Sequence, residues 1–349
     1  MSITSPVLRG HPPHFRSRPA FLLGAALALS IACSNNDKSG ANETEPSGPF
    51  RSLEAVANAP SSFTQPRAGV PLPNGDVAFI ATLEGLTEQE NSESGERIGI
   101  LLQPAKGTVS VLYAGDQLVN PIDRDGSLDG KTLYIADSAA GAESEGAILT
   151  LPVAGGEPSV ALLGQRPRAV TVGSDGDVYF SGVDAESAEP GVFKLAGDSA
   201  SALFVGAPLV DPSGIAVRGN GDVLVADTRL LDGESENKQT PTNSDAGIVL
   251  IHDGAASVFA TGFATGYPAG IALTLDEKTL IVSGEGPDHS DSVYLVDTAN
   301  PLAPPSAVTD SFSAYQDASA GLKRAHGENT FIWASLAANG GTIYRIQGH

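Results

Sequence analysis

Short apolar runs and polar turns alternate through most of this chain in one repeating order. The order is plainest over residues 211–251. Asp211-Pro212 leads into an apolar run at 213–217, and a Gly-rich turn follows at Asn220-Gly221-Asp222. A second run, VLVA, ends on Asp227, and a long polar loop separates it from a third, GIVLI, at 247–251. Runs this short, bounded by Gly, Asp and Asn, predict strands rather than helices. The Asn-Gly pair favours positive φ and so predicts a tight hairpin.

The unit recurs six times, starting at Gln65-Pro66, Asn120-Pro121, Arg166-Pro167, Asp211-Pro212, Tyr267-Pro268 and, in degenerate form, Ser319-Ala320. Second strands are predicted at VAFIAT, TLYIAD, DVYFSG, DVLVAD, TLIVSG and TFIWAS, and a third run follows each after a loop. A weaker fourth run precedes the next Xaa-Pro; it is vague only in the fifth unit, within 306–315. A period of roughly 45–57 residues suits a four-stranded propeller blade. The sixth unit has no fourth run of its own, while residues 51–57 (RSLEAVA) read as a fourth strand lacking its first three. The predicted fold is therefore all-β: a six-bladed β-propeller of four-stranded blades, closed by the N-terminal strand completing the C-terminal blade. An open solenoid or a β-sandwich would leave both pieces unmatched, whereas closure removes exposed sheet edges.

The units resemble NHL-type repeats and, more broadly, the six-bladed propellers of the gluconolactonase and senescence-marker-protein family. The likeness is closest at Pro212-Ser213-Gly214-Ile215-Ala216-Val217 with GDVLVAD at 221–227, and again in DGKTLYIADS at 129–138. It implies a fold more strongly than a function, because propellers host unrelated activities. The resemblance implies a divalent metal held by Glu, Asn and Asp of the inner strands, with an Asp as general base. In that pattern Asn or Asp stands just before the Gly that opens a first strand. Here Ser213 precedes Gly214, Ala269 precedes Gly270, and Arg168 precedes Ala169. Gln65-Pro66 replaces the family's first-blade Glu-Gly-Pro. The family's catalytic set is not carried over, and no catalytic residue is assigned.

Charge narrows the partners. Asp plus Glu outnumber Lys plus Arg by 41 to 20, which opposes binding to nucleic acid. Charged partners would be cations, metal ions or basic surfaces, unless the acidity only keeps the exterior soluble. Cys33 is the only thiol, so an internal disulfide and a multi-thiolate zinc site are both excluded.

Cys33 also has a telling position. Arg9, Arg16 and Arg18 precede an apolar stretch at 20–32 that is short for a membrane span and laid out like a secretory signal. Ser30-Ile31-Ala32-Cys33 resembles the lipobox of bacterial lipoproteins, with Ser where Leu is commoner. The resemblance implies that Cys33 is lipidated and becomes the new N-terminus. The expected division is a signal peptide at 1–32, a lipidated Cys and polar tether at 33–48, and the propeller at 49–349. The expected location is extracytoplasmic and membrane-anchored, at the outer membrane if the cell has one, because Ser34 and not Asp follows the Cys. The protein is expected to be a monomer.

Propeller geometry puts the Xaa of each Xaa-Pro on one face, around the mouth of the channel. Gln65, Asn120, Arg166, Asp211, Tyr267 and Ser319 are therefore the candidate ligand-binding residues. Acidic loops at 84–97, 137–146, 184–190, 229–246 and 284–291 are predicted on the same face. Ca²⁺, a hard cation that takes oxygen ligands, would suit them, as would a basic partner. Asp137 and Asp227 end equivalent apolar strands two blades apart and are the leading metal candidates, followed by Asp211 and Asn120. Asp123 and Asp125 resemble part of a calcium loop but lack its closing Glu and fall on an ordinary first hairpin. The leading function is a ligand- or protein-binding module. A divalent-metal-dependent hydrolase of the lactonase or esterase type is the alternative.

Overall fold

The computed structural model describes residues 50–58, 63–83, 97–229, 246–262, 264–285, 291–307, 321–335 and 340–348. Within them, strands form six antiparallel sheets of four. The first strand, β1 (Phe50–Asn58), stands apart from the sheet that follows it in sequence. Blade 1 is β2 (Phe63–Pro71), β3 (Val77–Leu83), β4 (Arg97–Gln103) and β5 (Ser110–Tyr113). Blade 2 is β6 (Pro121–Gly126), β7 (Thr132–Asp137), β8 (Ala147–Pro152) and β9 (Ser159–Leu163). Blade 3 is β10 (Ala169–Val172), β11 (Val178–Val183), β12 (Pro190–Ala196) and β13 (Ser199–Val205). Blade 4 is β14 (Pro212–Val217), β15 (Val223–Asp227), β16 (Gly247–His252) and β17 (Ala255–Thr261). Blade 5 is β18 (Ala264–Leu273), β19 (Thr279–Glu285), β20 (Asp291–Asp297) and a two-residue β21 (Ser306–Ala307). Blade 6 is β22 (Leu322–Arg324), β23 (Thr330–Ser335), β24 (Thr342–Gly348) and, outermost, β1.

The innermost strands β2, β6, β10, β14, β18 and β22 touch one another in closed order around a channel. The predicted six-bladed propeller is the observed fold, including its closure. In the seal β1 runs antiparallel to β24, with Leu53 opposite Ile346 and Ala57 opposite Ile343. Ala57 is buried against Phe63 and Phe79 of blade 1, so the seal is packed as well as hydrogen-bonded.

The second strands are apolar at most positions on both of their faces. Each has a neighbouring blade on both faces, so alternation does not produce a wet side. Val223 and Val225 of β15 share a core with Ala169 and Tyr179 of blade 3. Leu224 and Ala226 share another with Ile271 and Leu280 of blade 5. Six such clusters occur, one at each junction between blades, so cohesion runs between sheets rather than within them. Burying one Val or Leu fully contributes about 1.5–3 kcal/mol, and each junction buries several.

The first-to-second-strand turns form as the Asn-Gly and Asp-Gly pairs predict. Gly221 takes φ +92° and donates to the Arg218 carbonyl at 2.9 Å. The fifth unit has no Gly at this place, and Glu277 adopts the same left-handed conformation, at φ +57°.

Candidate functional site

The channel has two ends, and the charged residues near each behave differently. At the loop end, the strand-terminal carboxylates are taken up by backbone donors. Asp137 is fully buried. It accepts from the N–H groups of Val119 (2.8 Å), Asn120 (2.9 Å), Ala139 (3.1 Å) and Ala140 (2.9 Å). Asp227, also fully buried, accepts from Val210 (2.8 Å), Asp211 (3.0 Å) and Arg229 (2.9 Å). Burial pushes its carboxyl up to about 6, against those amides and the charges of Arg229 and Arg168.

A carboxylate offers about four lone-pair positions. Asp137 takes three amides at Oδ1 and one at Oδ2, and Asp227 takes three amides over its two oxygens. The geometry makes each a clamp that holds the loop entering its blade's inner strand. The residue after each Asp completes the clamp. The Ser138 amide donates to the Asn120 carbonyl at 3.1 Å, and the Asn120 side chain donates to the Ser138 hydroxyl at 2.9 Å. Thr228 does the same for Asp211, its hydroxyl donating to the carboxylate at 3.0 Å. Asp211 is further engaged by the guanidinium groups of Arg168 and Arg229.

Each metal candidate is thus brought beside its own loop partner, Asp137 with Asn120 and Asp227 with Asp211. Among the described residues no hydrogen bond or ion pair joins the two pairs directly. Among the described residues no group of three or more His, Cys, Asp or Glu is placed to hold a metal. Gln65 and Arg166 are exposed at the start of their blades, and each backbone amide is tied down, to the Gly340 and Glu145 carbonyls. The Tyr267 backbone lies in β18, and its side chain is outside the described residues, as are Ser319 and Cys33. So are most of the acidic loops at 84–97, 229–246 and 284–291.

Charges also occupy the inner strands themselves. Asp123 and Asp125 share one face of β6 and turn toward β10. Asp123 accepts from the Val170 amide at 3.1 Å and pairs with Lys323 at 2.8 Å, both side chains being almost wholly buried. Lys323 also donates to the Val170 carbonyl at 2.7 Å, so its ammonium joins blade 6 to blades 2 and 3. Burial pushes the Asp123 carboxyl up, while Lys323 and the amides of Val170 and Arg124 draw it back. Asp125 accepts from the Thr171 hydroxyl and the Val172 amide, both at 2.9 Å, and from Gly126 at 2.8 Å. The resemblance to a calcium loop dissolves here. Asp123 and Asp125 are strand residues inside the ring, whereas Asp129 is exposed on the hairpin and accepts from Ser127 and Lys131.

Beyond this layer the channel opens into a cavity of about 350 Å³ at the hairpin end, away from the predicted loop mouth. Residues from blades 2 to 6 line it. Ile215, Val217, Ile271 and Leu273 give it aliphatic walls, while Asp125, Thr171, Arg324 and His326 supply polar groups. His326 donates its Nε2–H to the Gly126 carbonyl at 2.9 Å. Sequence reasoning did not identify this site. Its signal was charge in two first strands, Asp123-Arg124-Asp125 in the second unit and Lys323-Arg324 in the sixth, where units three to five are mostly apolar.

No family model matches the chain, and no curated protein does. Solved structures match in fold. A gluconolactonase from Xanthomonas campestris superposes with a TM-score of 0.56 at 15% identity, over 89% of this chain and 94% of that one. A calcium structure of a Trichoderma reesei carbohydrate-active enzyme of family AA12 gives 0.52 at 11%, over 89% and 100%. The PQQ domain of a pyranose dehydrogenase from Coprinopsis cinerea gives 0.51 at 10%, over 84% and 95%. Identities this low show a shared propeller fold, and the three names differ too much to carry one activity.

Proposed function

We propose that this protein is a lipid-anchored, extracytoplasmic propeller that binds a small organic molecule in its channel. One observation carries the binding role: a concave space of about 350 Å³ with aliphatic walls and a few convergent polar groups. That combination is characteristic of small-molecule sites. It also moves the expected site from the loop mouth to the hairpin end. The anchor rests on the signal-like stretch and Cys33.

The binding role is tested by ligand-observed NMR with a mixture of small fragments, on the wild type and on Val217→Trp, which fills the cavity. Fragment signals that broaden with the wild type and not with the variant support it; equal behaviour of the two proteins removes it. For the anchor, Cys33→Ser moves the protein from the detergent phase to the aqueous phase in a detergent partition assay. A variant that stays in the detergent phase is not held by this lipid.

The fold shared with a gluconolactonase favours a second reading, a metal-dependent lactone or ester hydrolase. Its support is the likeness alone, since Ser213, Ala269 and Arg168 stand where metal-binding side chains would be expected. Hydrolysis of gluconolactone that is lost with EDTA and restored by Ca²⁺ would displace the binding role.

A further inference from the structure

We infer that the channel cavity takes a small monocarboxylate with an aliphatic body, its carboxylate held by the Arg324 guanidinium; this rests on the binding role proposed above. Most of the charged groups at the cavity already have partners.

Lys323 is committed to Asp123 and to the Val170 carbonyl. The Asp125 carboxylate accepts from three donors. Glu277 accepts the Gly219 amide at 2.6 Å. His326 has spent its N–H on Gly126. Arg324 differs. It donates only through Nη1, to the carbonyls of Ala325 (2.9 Å) and Glu328 (3.3 Å). Among the described residues no hydrogen bond uses its Nε or Nη2, and no carboxylate lies within ion-pair distance. Burial lowers its pKa, against the more distant charges of Asp125 and Glu277. A guanidinium partly removed from water and left without an anion is costly, and a planar carboxylate is the partner its fork fits.

The same surroundings set the ligand's charge and body. Asp125 and Glu277 line the cavity together with Lys323 and Arg324, so its ionic lining is balanced. A dianion such as phosphate would meet two carboxylates with only one unspent cation. A single negative charge meets Arg324 alone. The remaining walls, Ile215, Val217, Ile271 and Leu273, offer no hydrogen bonds and suit a hydrocarbon chain.

The test is calorimetric titration of the full-length protein with octanoate and with octanamide, which has the same shape and no charge. Octanoate is expected to bind at least about ten-fold more tightly, as a charge-assisted hydrogen bond requires. Arg324→Gln should bring the two within about two-fold of each other, because only the charge-assisted part is removed. Val217→Trp should abolish binding of both, and circular dichroism establishes that each variant is folded. Equal affinity for acid and amide, a preference that survives in Arg324→Gln, or no binding of octanoate overturns the proposal. Fragments that still bind in a Val217→Trp-sensitive way would then keep the cavity as a site while the carboxylate assignment falls. Octanoate binding that survives Val217→Trp overturns both.

Discussion

Asp137 takes four backbone N–H groups and Asp227 three, so each carboxylate replaces hydrogen bonds that its loop could not otherwise make. Asp137→Asn keeps the shape but turns an NH₂ toward buried donors. It should cost about 2–3 kcal/mol in urea unfolding, the range for stranding buried polar groups. Unchanged stability would refute the clamp, and any shift in melting temperature that Ca²⁺ causes should persist in the variant. Part of this was visible in the sequence, where Asp137 and Asp227 end equivalent apolar strands two blades apart. Which way the carboxylate turns was not, since two of its donors in each case belong to a loop 16–18 residues upstream. Lys323 and Asp123 make the complementary case. Lys323→Met leaves a buried carboxylate without its cation and should cost about 3–5 kcal/mol, while adding Asp123→Leu should recover part of the loss. Chemical denaturation of the two single variants and the double variant measures the coupling; simple additivity would mean the pair does not act as one.

At the scale of strands, β1 is the element on which the ring depends. Deleting residues 50–58 bares the whole edge of β24 and uncovers Phe63 and Phe79 at the junction with blade 1. The expected result is a lower melting temperature together with oligomers on size-exclusion chromatography, because a free strand edge recruits other chains. A monomer that melts like the wild type would mean the other blades close without it. Strands were the most legible level of this fold. Six repeats of one apolar pattern, one missing strand and one spare left few arrangements. The exception is β21, whose two residues are too few to register as a run. At the end of β16, His252 lies 2.6 Å from Asp222. The hydrogen bond and charge of Asp222, then the charge of Asp253, raise the imidazole above its ordinary value of 6.5. Protonated His252 is favoured by the fold, so its contribution is complete below that ordinary value and is lost as pH rises through the raised one. His252→Gln should flatten this decline in thermal melts from pH 6 to 9, and an unchanged slope would locate it elsewhere.

For the whole molecule, a net charge of −21 means that the folded state works against its own repulsion. Raising NaCl from about 10 to 150 mM shortens the screening length roughly four-fold and should raise the melting temperature. A fall would mean that attractive pairs such as Arg168 with Asp211 outweigh the general repulsion. The hairpin-end cavity belongs to this scale and was the least legible part. Asp123 and Lys323 stand on opposite sides of the sequence, and only the closed ring sets Asp-Arg-Asp of blade 2 against Lys-Arg of blade 6. Neither charged strand shows by itself that it meets the other. That closed ring also dictates when the molecule can be finished. Of the strands in the ring β1 is synthesised first and β24 last, and Glu54 meets Arg345 across a separation of 291 residues. Loop closure over such a span is entropically expensive and slow, so the last blade should form late. A translation product that stops short of β24 has no partner for β1 and keeps an open seam. Limited proteolysis is therefore expected to cut a product lacking β24 faster than one that carries it.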